Sequence, residues 1–186
     1  TMVQVVSAFC SIVNGGYYYK PHVVSEIASE NGNTVQVFDK TLMRTTVSKT
    51  TSEWMKNALY ETVEDGTGKA AQVAGYKIGG KTGTAEKLPR GGKERLVSFV
   101  GAAPIDDPQL VVYVVVDEAN AEDQGQSSFA SAIASNIFSE ALPYLQIFPT
   151  EEVTETTNEN TSDGSDDNQF DEGADNSDNG TSDDDE

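Results

Sequence analysis

The C-terminal segment of the chain limits what the rest of it can fold into. Residues 151–186 hold 15 of the 31 acidic residues and none of the 12 Lys and Arg residues. Their only apolar residues are Val153, Phe170 and Ala174. Such a segment cannot bury enough apolar surface to offset the entropy lost when a chain is ordered. We therefore expect a disordered acidic tail at 151–186 and one folded unit at 1–150.

The charge and the rare residue types of the first 150 residues exclude several classes of function. This part carries 16 acidic and 12 basic residues, a net charge of −4. A chain without a basic stripe cannot neutralise phosphates, so nucleic acid is not expected as a partner. One cysteine (Cys10) and one histidine (His22) argue against a zinc site and against a disulfide framework. No metal or organic cofactor is expected.

Hydrophobic periodicity predicts three helices and five strands. The predicted helices cover residues 2–13, 51–64 and 127–142, and the predicted strands cover 17–29, 34–38, 78–87, 95–103 and 109–117. The run 110–116 is apolar at every position, which predicts a central strand covered on both faces. Its seven residues are too few to cross a bilayer, for which a helix needs about 20.

Short local signals mark where these elements begin and end. Asn31-Gly32 predicts a type I′ hairpin turn, because both central residues of that turn need positive φ. Thr50 and Glu53 fit a capping box at the start of the second helix, and Pro143 is predicted to end the third. Trp54, at the start of the second helix, is predicted to pack in the core.

The stretch Gly75–Lys87 carries the chemistry and has two interpretations. Its first eight residues match the phosphate-loop pattern G-x-x-x-x-G-K-[ST], and Asp117 follows an apolar strand as a magnesium ligand would. A phosphate loop must follow a buried strand and open a helix. The small residues 70–74 are a poor strand, and Pro89 with its neighbouring glycines would stop the helix. The nucleotide-binding interpretation is therefore the less favoured.

The second interpretation is the K-T-G motif of β-lactamases and penicillin-binding proteins. Residues 81–86, Lys-Thr-Gly-Thr-Ala-Glu, resemble the third motif of class B penicillin-binding proteins, the D,D-transpeptidases of peptidoglycan synthesis. Four further segments resemble this family in the family's order, namely residues 2–21, 65–68, 98–104 and 141–152. The resemblance implies an α+β fold in which an antiparallel sheet is flanked by helices. Residues 1–150 would be the C-terminal portion of that transpeptidase domain.

The resemblance also implies a role for each residue of the motif. Lys81 would be catalytic, as a fixed ammonium near the nucleophile and the substrate. Thr82, Gly83 and Thr84 would bind substrate: the threonines offer hydroxyls, and Gly83 lets the substrate backbone come close. The backbone N–H of Thr84 would be one arm of the oxyanion hole.

The nucleophile of the family is not found in this chain. No Ser is followed three residues later by Lys, and the Ser-x-Asn tripeptide Ser29-Glu30-Asn31 coincides with the predicted hairpin turn. The chain begins with Thr1, and we expect it to be the back end of a longer protein. On its own it is expected to be inactive.

The longer protein is expected to cross-link peptidoglycan stem peptides through a serine acyl-enzyme, and β-lactams would act as substrate mimics. The resemblance places it on the extracytoplasmic face of the bacterial cytoplasmic membrane, held by an N-terminal anchor. Other cell-wall synthesis proteins are candidate partners.

Several alternatives to the transpeptidase function stay open. They are a D,D-carboxypeptidase, a β-lactamase, a β-lactam sensor, a non-enzymatic remnant or scaffold fragment, and a phosphate-loop nucleotide binder.

Overall fold

The computed structural model describes residues 1–151, which contain three α-helices and seven strands. The helices are α1 (Met2–Val13), α2 (Lys49–Glu64) and α3 (Ser128–Tyr144), and the strands are β1 (Tyr17–Tyr19), β2 (Glu26–Ala28), β3 (Thr34–Val37), β4 (Leu42–Thr45), β5 (Gly79–Glu86), β6 (Arg95–Ala103) and β7 (Leu110–Asp117). The predicted α+β class is confirmed. The predicted acidic tail lies, apart from Glu151, outside the described residues. No helix within residues 1–151 has both the length and the apolarity to span a bilayer.

The largest sheet is a three-stranded antiparallel layer in the order β5-β6-β7. Alternate residues of β6 point to opposite faces, as the pleat requires. Val97 and Phe99 pack on one face with the buried side of α3. Ala102 packs on the other face with residues of α1 and α2. The sheet is thus covered by helices on both sides.

Strand β7 corrects one prediction about position in the sheet. Both of its faces contribute to a core, as its apolar run predicted, with Val112 in one core and Val111 packed against the other. Within the described residues, however, β6 is the central strand and β7 lies at an edge. The hydrophobic pattern reports which faces are buried, whereas edge pairing is made by the backbone and leaves no mark in that pattern.

The junction between α1 and α2 is held by one buried hydroxyl. Ser52 Oγ donates to the carbonyl of Ile12 at 2.6 Å and accepts from the N–H of Gly15 at 2.9 Å. Gly16 has φ +98, and a Cβ there would lie 2.0 Å from the carbonyl oxygen of Val47. Only glycine can occupy that position, so the turn after α1 can pack closely against the residues that precede α2.

The segment predicted as one strand at 17–29 is two strands with different partners. β1 pairs with β4, and β2 pairs with β3. Pro21 lies between them and has no N–H with which to continue a ladder. The hairpin turn is where Asn31-Gly32 predicted it, but its type was wrong. Only Gly32 has positive φ, so the loop is a type I turn followed by a left-handed glycine.

Three predictions about helix residues are also corrected. The side chain of Ser48, not of Thr50, caps α2, accepting from the N–H of Thr51 at 3.1 Å. Pro143 lies inside the last turn of α3, where the loss of a single N–H is tolerated. Trp54 is 76% exposed, because the buried stripe of α2 passes through Leu59 and Val63 on another side of the helix.

We expect Gly80→Ala to destabilise the chain more than Gly83→Ala. A Cβ at Gly80 would lie 2.3 Å from Phe99 Cζ and 2.8 Å from the carbonyl oxygen of Val100, whereas a Cβ at Gly83 would meet only the rotatable Ser98 Oγ at 2.8 Å. Overpacking of this kind costs about 1–3 kcal/mol in the free energy of unfolding. Urea denaturation of both variants measures the difference, and equal midpoints would contradict the prediction.

Candidate active site

The Lys-Thr-Gly segment lies on β5, at an edge of the sheet. Lys81 is paired with Val100, Thr82 with Phe99 and Gly83 with Ser98 on β6. Within residues 1–151 the other edge of β5 is not paired with a strand. An open strand edge can receive an extended peptide as an added strand, with main-chain hydrogen bonds supplying affinity. The site is therefore built on rigid backbone with one edge left open.

The side chains of the motif alternate between the two faces of the sheet. Lys81 and Gly83 share a face with Val100, towards the layer formed by α1 and α2. Thr82 and Thr84 share a face with Phe99 and so point towards the α3 side. The side chains of Lys81 and of the two threonines thus leave the strand on opposite faces, and the long Lys81 side chain bends back so that its Nζ lies 3.4 Å from Thr82 Oγ1.

Lys81 carries a positive charge that no carboxylate within residues 1–151 pairs with in an ion pair. Its Nζ donates to the carbonyl of Thr82 at 2.8 Å and lies 3.4 Å from Thr82 Oγ1. The side chain is exposed. An exposed ammonium held close to a strand edge is suited to attract an anionic group of a peptide lying along that edge.

Thr82 meets a residue to which the sequence analysis gave no role. Thr82 Oγ1 lies 2.9 Å from Thr67 Oγ1, and either hydroxyl can be the donor. Thr67 stands between Gly66 and Gly68 in the turn after α2, where a Cβ at Gly66 would lie 2.8 Å from the carbonyl oxygen of Thr62. The turn is tight because of these glycines. Its resemblance to a family segment was visible in the sequence, but the contact with Thr82 was not.

Thr84 is exposed, and its Oγ1 donates to the carbonyl of Gly125 at 3.4 Å. Gly125 belongs to the loop between β7 and α3. Like Thr67, it was given no role in the sequence analysis. The structure therefore adds two residues to the motif: Thr67, which lies beside Thr82, and Gly125, which lies beside Thr84.

Other candidate residues stand apart from this group. Ser29 lies in the exposed β2–β3 turn, where its hydroxyl donates to the carbonyl of Asn33. Burial raises the pKa of the Cys10 thiol, which keeps it protonated near neutral pH and a poor nucleophile. Within residues 1–151 no group of three or more His, Cys, Asp and Glu side chains could hold a metal ion.

The phosphate-loop interpretation is wrong. Lys81 and Thr82 lie inside an extended strand paired with β6, and the chain continues in that strand to Glu86. A phosphate loop needs a helix N-terminus directly after its Lys-Thr, because the helix N–H groups bind the phosphates. The sequence matches the phosphate-loop pattern, but the structure of this segment does not.

Comparison with known proteins identifies the family. Residues 1–139 match the penicillin-binding protein transpeptidase domain. The chain is 40% identical over 153 residues to stage V sporulation protein D of Bacillus subtilis, covering 80% of this chain and 24% of that protein. It is 30% identical to the crystal structure of the D,D-transpeptidase domain of a peptidoglycan glycosyltransferase from Eggerthella lenta, with a TM-score of 0.63, over 76% of this chain and 33% of that one.

A more distant structure has the same fold. Penicillin-binding protein 3 of Mycobacterium tuberculosis, solved in complex with ampicillin, aligns with a TM-score of 0.70 at 23% identity, over 82% of this chain and 36% of that one. The chain belongs to the penicillin-binding protein transpeptidase family, and its resemblance to the class B members is confirmed. It spans about a quarter of the length of the sporulation protein.

We expect Thr67→Val to change the side-chain conformation of Thr82. Valine keeps the shape of threonine but removes the hydroxyl that lies 2.9 Å from Thr82 Oγ1. Without that partner Thr82 is free to populate other χ1 rotamers. Scalar couplings measured by NMR at Thr82 test this. Thr67→Ser, which keeps the hydroxyl, is the matched control, and identical couplings in all three proteins would contradict the prediction.

Proposed function

We propose that this chain supplies the substrate-binding wall of a D,D-transpeptidase that cross-links peptidoglycan stem peptides through a serine acyl-enzyme. The observation that carries the proposal is the open edge of β5, with an ammonium from Lys81 free of carboxylate partners in the described residues and with the hydroxyls of Thr82 and Thr84 beside it. An extended peptide carrying a carboxylate matches this edge in both shape and charge.

Each residue of the motif has a role in the proposal. Lys81 lowers the energy of negative charge at the nucleophile and on the substrate. Thr82 and Thr84 bind the substrate by their hydroxyls, and the Thr84 N–H serves as one donor to the oxyanion. At Gly83 the absence of a side chain lets the substrate backbone lie against the strand. No metal or organic cofactor is needed for acyl transfer of this kind.

The serine and its base come from a part of a longer protein in this proposal, because no Ser-x-x-Lys occurs in the 186 residues. Residues 1–150 would be the C-terminal portion of the transpeptidase domain and residues 151–186 an acidic tail. Since stem peptides lie outside the cell, the longer protein would work at the outer face of the cytoplasmic membrane, held by an N-terminal anchor. Other cell-wall synthesis proteins would be its partners there.

The test is covalent labelling by a fluorescent penicillin. The reading frame that contains this chain is sequenced upstream of Thr1 and expressed whole, beside the 186-residue chain. We expect an in-frame Ser-x-x-Lys followed by Ser-x-Asn, labelling of the long protein and none of the short one. A stop codon or an unrelated domain upstream would overturn the proposal and leave a remnant or a scaffold.

We expect Lys81→Ala in the long protein to lower the rate of penicillin acylation about a hundredfold, the loss typical when one preorganised electrostatic group is removed. Lys93→Ala is the matched control, because Lys93 is exposed, lies just before β6 and forms no ion pair in the described chain; its rate should be unchanged. Acylation at the wild-type rate in Lys81→Ala would refute the role of Lys81.

The rate at which the label is released separates two of the alternatives. A transpeptidase releases the bound penicillin slowly, whereas a β-lactamase releases it rapidly.

A further inference from the structure

A loop outside the Lys-Thr-Gly strand contacts the motif directly. Residues 118–127, which we call the β7–α3 loop, join β7 to α3. They pass beside the last residues of β5 and the first residue of β6. The carbonyl of Gly125 accepts from Thr84 Oγ1 at 3.4 Å. The side-chain carbonyl of Gln124 accepts from the N–H of Arg95 at 3.1 Å. What holds this loop in place therefore also determines the surroundings of Thr84.

The base of the loop is held by an ion cluster on Lys87, the residue directly after β5. Lys87 Nζ lies 3.0 Å from Asp117 Oδ1 and 2.6 Å from Glu118 Oε1. Asp117 ends β7 and Glu118 begins the loop, so one ammonium joins the outer strands of the sheet across β6. The N–H of Glu118 also donates to the carbonyl of Arg95 at 3.0 Å.

Glu118 has a backbone conformation that needs such support. Its φ is +51, in the left-handed region that residues with a Cβ rarely adopt. A residue stays in that region only when surrounding contacts hold it there. The contacts available to Glu118 are the ammonium of Lys87 and the carbonyl of Arg95. This strained residue is the point at which the chain leaves the sheet and turns towards Gly125.

A second ion pair supports the same end of the sheet. Arg95 lies 3.1 Å from Glu86 Oε1, and this ion pair joins the last residue of β5 to the first of β6.

The ion cluster also changes the pKa of Lys87. Hydrogen bonds from Lys87 to the carboxylates of Glu118 and Asp117 raise that pKa above its usual value, and Glu118 makes the largest contribution. Because that pKa is raised, the contribution of the Lys87 ammonium is fully present at neutral pH and is lost as the pH rises through the pKa of Lys87.

We propose that Lys87 is a positioning residue: by binding Asp117 and Glu118 together it holds the β7–α3 loop against β5, so that the Gly125 carbonyl orients the hydroxyl of Thr84. The consequence for acylation rests on the proposed function, whereas the effect on the loop does not. Lys87 itself acts only through the loop and through Thr84.

The first test measures the loop in the 186-residue chain by amide hydrogen exchange. Lys87→Met keeps the length of the side chain and removes the charge. We expect exchange in residues 119–125 to be about fivefold faster, the upper end of what an exposed ion pair contributes, while Val97 and Phe99 in β6 are unchanged. The Thr84 side-chain resonances should shift as well. Lys93→Met is the control, and Lys87→Arg, which keeps the charge, should restore slow exchange.

Salt provides a readout that a purely steric role would not move. In the wild-type chain, 1 M salt should speed exchange in the loop towards the value in Lys87→Met, because exposed charges are screened over about 3 Å at that ionic strength. The Lys87→Met chain should change less, because only the Glu86–Arg95 pair is left for salt to screen at this end of the sheet. Equal loop exchange in Lys87→Met and wild type, or a loop insensitive to salt, would overturn the proposal.

The second test uses the long protein and fluorescent penicillin. We expect Lys87→Met to lower the acylation efficiency by at most about fivefold, which is the full change in the open–closed equilibrium of the loop, with Lys93→Met unchanged and Lys87→Arg near wild type. If loop exchange rises but acylation does not fall, the link from the loop to Thr84 is wrong. If the wild-type protein is not labelled at all, the proposed function fails, and the exchange experiment still decides whether Lys87 holds the loop.

Discussion

The packing of Phe99 between two glycines is the constraint on which the site depends. Phe99 is fully buried in β6, and a Cβ at Gly80 or at Gly101 would lie 2.3 Å or 2.6 Å from its ring. The ring occupies space that side chains on the neighbouring positions would take. A side chain at position 80 would therefore displace either the ring or β5 immediately before Lys81. The position of the motif is determined by the core beneath it as much as by its own residues.

The elements of the fold were largely readable from the sequence because their signals are local. The apolar stripes of α1 and α3, the two-faced apolar run of β7 and the position of the Asn31-Gly32 turn each have a cause within a few residues. Partners along the chain were harder to predict. That β1 pairs with β4, or that Trp54 faces solvent, depends on which distant surfaces are available for packing, and periodicity carries no information about that.

The residues of the site also divide into those that a local sequence pattern predicts and those that only the fold brings together. Lys81 to Thr84 could be predicted as site residues because four consecutive residues carry a motif that is typical of one chemistry. Thr67 and Gly125 could not, since they reach the motif from 15 and 41 positions away through single hydrogen bonds. A threonine between glycines and a glycine in a polar loop are both common, and only the folded chain places them beside the Lys-Thr-Gly strand.

The alternation of the motif between two faces of β5 limits how such a chain can change in evolution. The connection between β5 and β6, residues 88–93, lies beyond the last backbone hydrogen bond between the two strands, from the Lys87 N–H to the Glu94 carbonyl, and can change length without disturbing their register. One residue inserted in β5 before Lys81 would instead exchange the faces, so that the Lys81 side chain would leave the strand towards the α3 side and the two hydroxyls would point away from Thr67 and Gly125. Insertions and deletions should therefore accumulate at the hairpin tip, while the length of β5 stays constant.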